Sequence, residues 1–222
     1  MQSLYRPLFF LALFSATLAL HGQSTFQKLF SQEVSIESTI GQASNGDLVW
    51  ATDSYNDTAA FFHRIVVLRL DANANILQSK GLSRPPSFRL GKIYPTSDNG
   101  IIITGTSNIP LTDNDSVFVI KLNANSEISW TKAFQLGMDI HELGGIYETN
   151  DGSIIVYGLF EDFNLFEASI FITKIDPSGT LVWSRQIQSQ LNGAFLKVGG
   201  IAEAANGELF LSGSTRFNSE GS

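Results

Sequence analysis

The sequence predicts an all-β protein, a β-propeller of four-stranded blades of about 52–54 residues, with about three and a half blades present. Three anchors in the sequence predict it. The first is a turn dipeptide, found at Asn45-Gly46, Asn99-Gly100, Asp151-Gly152 and Asn206-Gly207, whose glycines step by 54, 52 and 55. The second is a basic residue inside an apolar run: Val67-Leu68-Arg69-Leu70-Asp71, Val119-Ile120-Lys121-Leu122-Asn123 and Ile172-Thr173-Lys174-Ile175-Asp176. The third is aromatic: Trp130 and Trp183 lie 53 apart, Phe26 lies two periods before Trp130, and Gln78 fills the intermediate slot. Three anchors that keep phase mark a repeat, and a repeat sets the architecture.

Residues 1–23 precede the repeat and read as a secretory signal peptide. Met1–Pro7 carries Arg6 and no acid, Leu8–Leu20 is an apolar run of thirteen, and Gly22 is a small residue near a cleavage bond. Thirteen is short of the roughly 20 apolar residues that a spanning helix needs. Residues 24–222 form the partial propeller, with repeats near 38–90, 91–143, 144–198 and 199–222, the last cut short.

Within the third repeat the strands are expected at Leu143–Glu148, Ser153–Phe160, Ser169–Asp176 and Leu181–Ile187. Asn150-Asp151-Gly152 predicts a type I′ hairpin between the first two, because that turn needs positive φ at both central residues. Asp176-Pro177-Ser178-Gly179 predicts a second turn, with Pro fixing φ early and Gly relieving strain late. Runs such as Ser169–Ile175 alternate only partly, so both faces are expected to be covered. A stack of blades around an axis covers both faces of each blade. The fourth repeat reaches its second strand at Glu208–Gly213 and stops at Ser222, so the chain reads as the front part of a larger propeller.

Composition removes several classes of function. Fourteen Lys and Arg face 21 Asp and Glu, giving a net charge of −7, so a basic nucleic-acid face is not expected. The absence of cysteine excludes disulfides, thiolate zinc sites and cysteine nucleophiles. An exported, acidic, cysteine-free chain suits a bacterial envelope or extracellular site.

The motif Asn150-Asp151-Gly152, Ile154–Gly158, Phe171–Gly179 and Leu181-Val182-Trp183 resembles the secreted repeat β-propellers of Bacteroidota, often cargo of type IX secretion, with PQQ-like or kelch-like repeats. The resemblance spans the whole chain after the signal and implies a propeller architecture; the propeller fold in turn makes a ring face the expected place for binding. WD repeats fit less well, since they are shorter and carry a Trp-Asp dipeptide. Gly144-Gly145 and Gly199-Gly200 recur 55 apart, but they are expected to precede the first strand, whereas kelch repeats place such a pair after the second strand.

Candidate chemistry is sparse. Asp71-x-Asn73-x-Asn75 looks like the start of a calcium loop, yet Ile76 and Leu82 stand where an EF-hand needs Gly and Glu. The same stretch matches two of the five slots of a mannose-lectin motif. Asp113 and Asp115, with the counterparts Asp53-Ser54-Tyr55-Asn56-Asp57 and Glu161-Asp162, are weak calcium-loop candidates on one rim. His63 and His141 have no partner geometry that would make a catalytic pair. Trp130 and Trp183 are expected to pack between blades. Arg69, Lys121 and Lys174 are expected to lay their stems on apolar surface with the charged heads exposed. No catalytic residue, cofactor or firm metal ligand is expected. The expected partner is a protein or glycan at the bacterial surface, reached by a secreted, non-enzymatic adhesion module. A lectin-like module or a piece of a propeller enzyme is the alternative.

Overall fold

A computed structural model describes residues 34–55, 63–83, 88–108, 115–135, 140–162, 167–188 and 194–217. The proposed signal peptide, and Asp113 among the candidate ligands, lie outside them. All regular structure among the described residues is β-strand. Blade 1 contains β1 (Val34–Gln42), β2 (Leu48–Tyr55), β3 (His63–Leu70) and β4 (Ile76–Ser83). Blade 2 contains β5 (Phe88–Pro95), β6 (Ile101–Asn108), β7 (Asp115–Leu122) and β8 (Ile128–Gln135). Blade 3 contains β9 (Ile140–Glu148), β10 (Ile154–Asp162), β11 (Glu167–Ile175) and β12 (Leu181–Gln188). The fourth sheet pairs β13 (Ala194–Glu203) with β14 (Leu209–Phe217). Every sheet is an antiparallel meander in chain order.

The blades stack through their first strands: β5 packs on β1, β9 on β5 and β13 on β9. This explains the continuous apolar runs of the second strands. Ile101 and Ile103 point into the core shared with blade 1, beside Val49, Ala51, Ile65 and Val67. Ile102 points the other way, into the core shared with blade 3, beside Ile154, Val156 and Ile175. All three isoleucines are fully buried, as a strand between two neighbours requires. The outermost strands β8 and β12 are mostly exposed along their length.

The first-turn prediction is corrected. Gly46 N donates to Ala43 O and Ala43 N to Asp47 O, and the same pair of bonds closes Thr96–Gly100, Thr149–Ser153 and Ala204–Glu208. Each turn has a single left-handed residue: Gly46, Asn99, Gly152 and Gly207, with φ of 91°, 60°, 75° and 83°. That is a three-residue loop, a type I turn followed by a bulged left-handed residue, and not type I′. In blade 2 the left-handed residue is Asn99 and not Gly100, so the structural steps are more even than the glycine spacing.

The double-glycine pairs lie inside the first strand and not ahead of it. Gly145 pairs with Tyr157 and Leu143 with Gly158, so Gly144 is bulged out of the ladder. Blade 4 repeats this at Gly199, between Val198 and Gly200, and blade 2 between Leu90 and Ile93. In blade 3 the ring of Tyr157 lies across the strand, and a Cβ at Gly144 would stand 3.1 Å from it. The pair of glycines makes room for the bulge and the ring.

Candidate functional site

The turn between the third and fourth strands consumes the first calcium-like motif. Asp71 Oδ1 accepts from Asn73 N and Asn75 N at 2.8 Å each, and Asp71 Oδ2 accepts from Asn75 Nδ2. Asn123 does the same for Asn125 N and Glu127 N, and Asp176 for Ser178 N and Thr180 N. A side chain that closes its own turn is a local substitute for a backbone bond. The Ser178 hydroxyl and the Thr180 N–H hold the Asp176 carboxyl below its usual range.

The recurring basic residues are tied to the other turn. Lys121 Nζ lies 2.7 Å from Asp98 Oδ1, and Lys174 Nζ 2.9 Å from Asp151 Oδ2. Arg69 Nη1 lies 3.3 Å from Asp47 Oδ2, while its Nη2 donates to Asn99 O of the next blade at 2.7 Å. The expected exposed heads are therefore corrected: Arg69 is buried. Its two Nη atoms are engaged, which offsets part of the cost of burying the charge, while its Nε is buried without a hydrogen bond among the described residues. The Thr149 hydroxyl, then Lys174, then Ser153 N–H hold the Asp151 carboxyl far below its usual range. Burial opposes the same effect at Asp98, but bonds from Lys121, Thr96 and Gly100 outweigh it, and its pKa is lowered too.

A belt of bonds crosses each joint. Asn45 N and Ser44 Oγ donate to Asn99 Oδ1 of blade 2 at 3.1 and 2.7 Å. Ser97 N donates to Glu148 Oε2 of blade 3, and Asn150 N to Glu203 Oε2 of blade 4, both at 2.7 Å. Glu148 and Glu203 end their first strands, and in blade 2 that slot holds Pro95, which has no side-chain acceptor. Asn99 supplies the acceptor there instead. At the outer rim Trp130 Nε1 donates to Pro177 O of blade 3 at 3.0 Å. Gln78, in the same slot of blade 1, accepts from Ser126 Oγ of blade 2 at 2.7 Å. Trp183 has Arg185 over its ring at 5.2 Å.

The remaining candidates that fall among the described residues are strand residues. Asp53 is a buried residue within β2 and not part of a loop, which removes it from the proposed rim cluster. Asp115 opens β7, paired with Asn108, and Glu161 and Asp162 end β10, paired with Ala168 and Glu167. His63 opens β3 opposite Tyr55, and His141 lies in β9. Among the described residues no group of three or more His, Asp or Glu could hold a metal ion. Among them, too, no helix is long and apolar enough to cross a membrane.

Sequence reasoning missed a different feature. Ile76, Ile128 and Leu181 open the outermost strands of three successive blades and are 51%, 53% and 44% exposed. Their even spacing was the available signal.

The fold defines the class: a β-propeller-like, blade-repeat protein. No family model matches the sequence, and no curated protein is similar to it. Among solved structures, a Bacteroides caccae protein of unknown function aligns at 13% identity and a TM-score of 0.49, over 82% of this chain and 56% of that one. A Synechocystis apocarotenoid oxygenase variant aligns at 15% identity and 0.49, over 72% of this chain and 40% of that one. The chain thus spans 56% of the length of the first structure and 40% of the second, at similarities that carry no functional inference.

Proposed function

We propose that the chain is a secreted, non-enzymatic β-propeller module that binds a protein or glycan at a bacterial surface. Residues 1–23 are its signal peptide, and type IX secretion in a Bacteroidota host is its export route. The supporting observation is the rim row Ile76, Ile128 and Leu181. Single exposed apolar residues are ordinary on any surface, but three in matching positions of successive blades give the chain a repeated apolar feature to offer a partner. The recurring polar residues, by contrast, are spent on turns and joints.

The test is a protein and glycan array probed with the labelled chain and with a variant carrying Ile76→Ser, Ile128→Ser and Leu181→Ser. Specific binding that the variant loses, at an unchanged melting temperature, is expected. Equal retention of both proteins overturns the rim as the binding surface. Turnover of a quinone-dependent or polysaccharide substrate by purified protein overturns the non-enzymatic reading. N-terminal sequencing of the exported protein checks the signal peptide, with a start near Ser24 expected.

A further inference from the structure

Beside the paired cations Arg69, Lys121 and Lys174, the repeat carries a second cation series that no turn consumes. Lys80, Lys132 and Arg185 are each the fifth residue of an outermost strand, β4, β8 and β12, and step by 52 and 53. They stand opposite Val67, Val119 and Ile172 of the third strands. All three are exposed, and among the described residues none is paired with a carboxylate. The three outermost strands hold no Asp or Glu, in a chain where 21 acidic residues outnumber 14 basic ones.

Strand alternation puts the fifth residue on the same face as the third. That third residue is Gln78, Trp130 or Trp183, and the face looks toward the following blade: Gln78 accepts from Ser126 and Trp130 donates to Pro177. The cations therefore line the outer mouth of each joint. Lys132 runs its stem along the turn of the next blade, with Cε 3.0 Å from where a Cβ at Gly179 would stand. Arg185 lies over the ring of Trp183. Four-stranded blades follow both Lys80 and Lys132, so their exposure belongs to the wall itself.

We propose that this outer wall binds an acidic polysaccharide, whose carboxylates meet Lys80, Lys132 and Arg185 at successive joints. The inference rests on the reading of the chain as a surface-binding module and names its ligand class. The other exposed polar groups of the same strands include Ser79, Thr131, Gln135 and Gln188, neutral donors and acceptors of the kind that meet sugar hydroxyls. A cation repeated once per blade suits a polymer with a repeated anion, because one polymer chain engages several weak sites at once. One cation per strand is too sparse for the dense phosphates of a nucleic acid. A lysine on an edge strand also guards against edge pairing. Either sign of charge would serve that purpose, and here all three are positive.

The probe is polygalacturonate, titrated against the full chain by calorimetry, with dextran as the neutral polymer. Saturable binding to polygalacturonate and none to dextran is expected, weakening as salt rises. The combined variant Lys80→Gln, Lys132→Gln and Arg185→Gln is expected to lose about tenfold or more in affinity at an unchanged melting temperature. The variant Lys80→Arg and Lys132→Arg keeps the charges and is expected to keep the affinity. No saturable binding overturns the proposal, as does binding indifferent to the glutamine changes. Equal binding of duplex DNA overturns it too, by making the wall a general anion exchanger. Failure with polygalacturonate beside array hits that the Ile76→Ser, Ile128→Ser and Leu181→Ser variant loses removes the ligand class and leaves the binding module standing. Failure of both removes both.

Discussion

Trp130 closes the joint between blades 2 and 3 by resting on Gly179. Its Nε1 donates to Pro177 O at 3.0 Å, and a Cβ at Gly179 would fall 2.8 Å from the indole ring. Gly179 also has φ of 85°, so the turn and the joint make the same demand on one residue. Gly179→Ala is expected to destabilise by roughly 2–4 kcal/mol, combining left-handed strain with a steric clash. Gly152→Ala has similar strain but meets only Pro177 Cγ at 3.6 Å, and is expected to cost about 1 kcal/mol. Thermal melts of the two variants check the order, and equal losses would remove the indole from the account.

Blade 1 carries the polar version of that joint. Gln78 takes the indole slot and Ser126, at φ of 58°, takes the place of Gly179. Gln78→Trp alone is expected to destabilise, because Ser126 has a Cβ where an indole must lie. Ser126→Gly is expected to rescue it, with a coupling of about 1 kcal/mol or more in a double-mutant cycle by urea denaturation. Additive effects would show that the two slots do not meet.

Glu148 accepts from both Ser97 N and Ser97 Oγ across the joint. Glu148→Ala is expected to cost about 1–2 kcal/mol by leaving those donors without their partner, while Glu148→Gln keeps an acceptor oxygen and loses less. Urea midpoints of the two variants give the comparison.

Acid sensitivity follows from the turn carboxylates. The pKa values of Asp98 and Asp151 are lowered in the folded chain, so both favour folding above the ordinary carboxylate range, and that contribution fades as pH falls through their folded values. Asp151→Asn is expected to lower the melting temperature near pH 6 and to converge on the unmodified chain at low pH. A constant gap from pH 6 to pH 2 would contradict the assignment.

The blade period was legible because the turns and strand centres obey local rules. Asp71, Asn123 and Asp176 each cap their own turn, so one residue type recurs in the sequence. In blade 2 the anchor glycine is not the left-handed residue: Asn99 tolerates that conformation, and the following Gly100 disguises the shift. The role of Arg69, Lys121 and Lys174 was only half legible. Their phase was visible, but their carboxylates lie 22 or 23 residues away at two different turn positions. The joints were barely legible. Two glutamates in one slot, Glu148 and Glu203, accept a turn N–H, but in the first joint Asn99 accepts instead, from one turn position later, so the pattern is marked in only two joints.

The belt across the joints bears on how such a chain can change over generations. Each joint is written half in one blade, as a turn N–H, and half in the next, as an acceptor from its first strand or its own turn. A recombination event that copies or deletes one whole period therefore carries a donor at one boundary and an acceptor at the other. New neighbours meet with matching halves, and the number of blades can drift without any joint being invented afresh. Pro95 marks the exception: a blade lacking the strand-end acceptor stays compatible only while its own turn, through Asn99, replaces it.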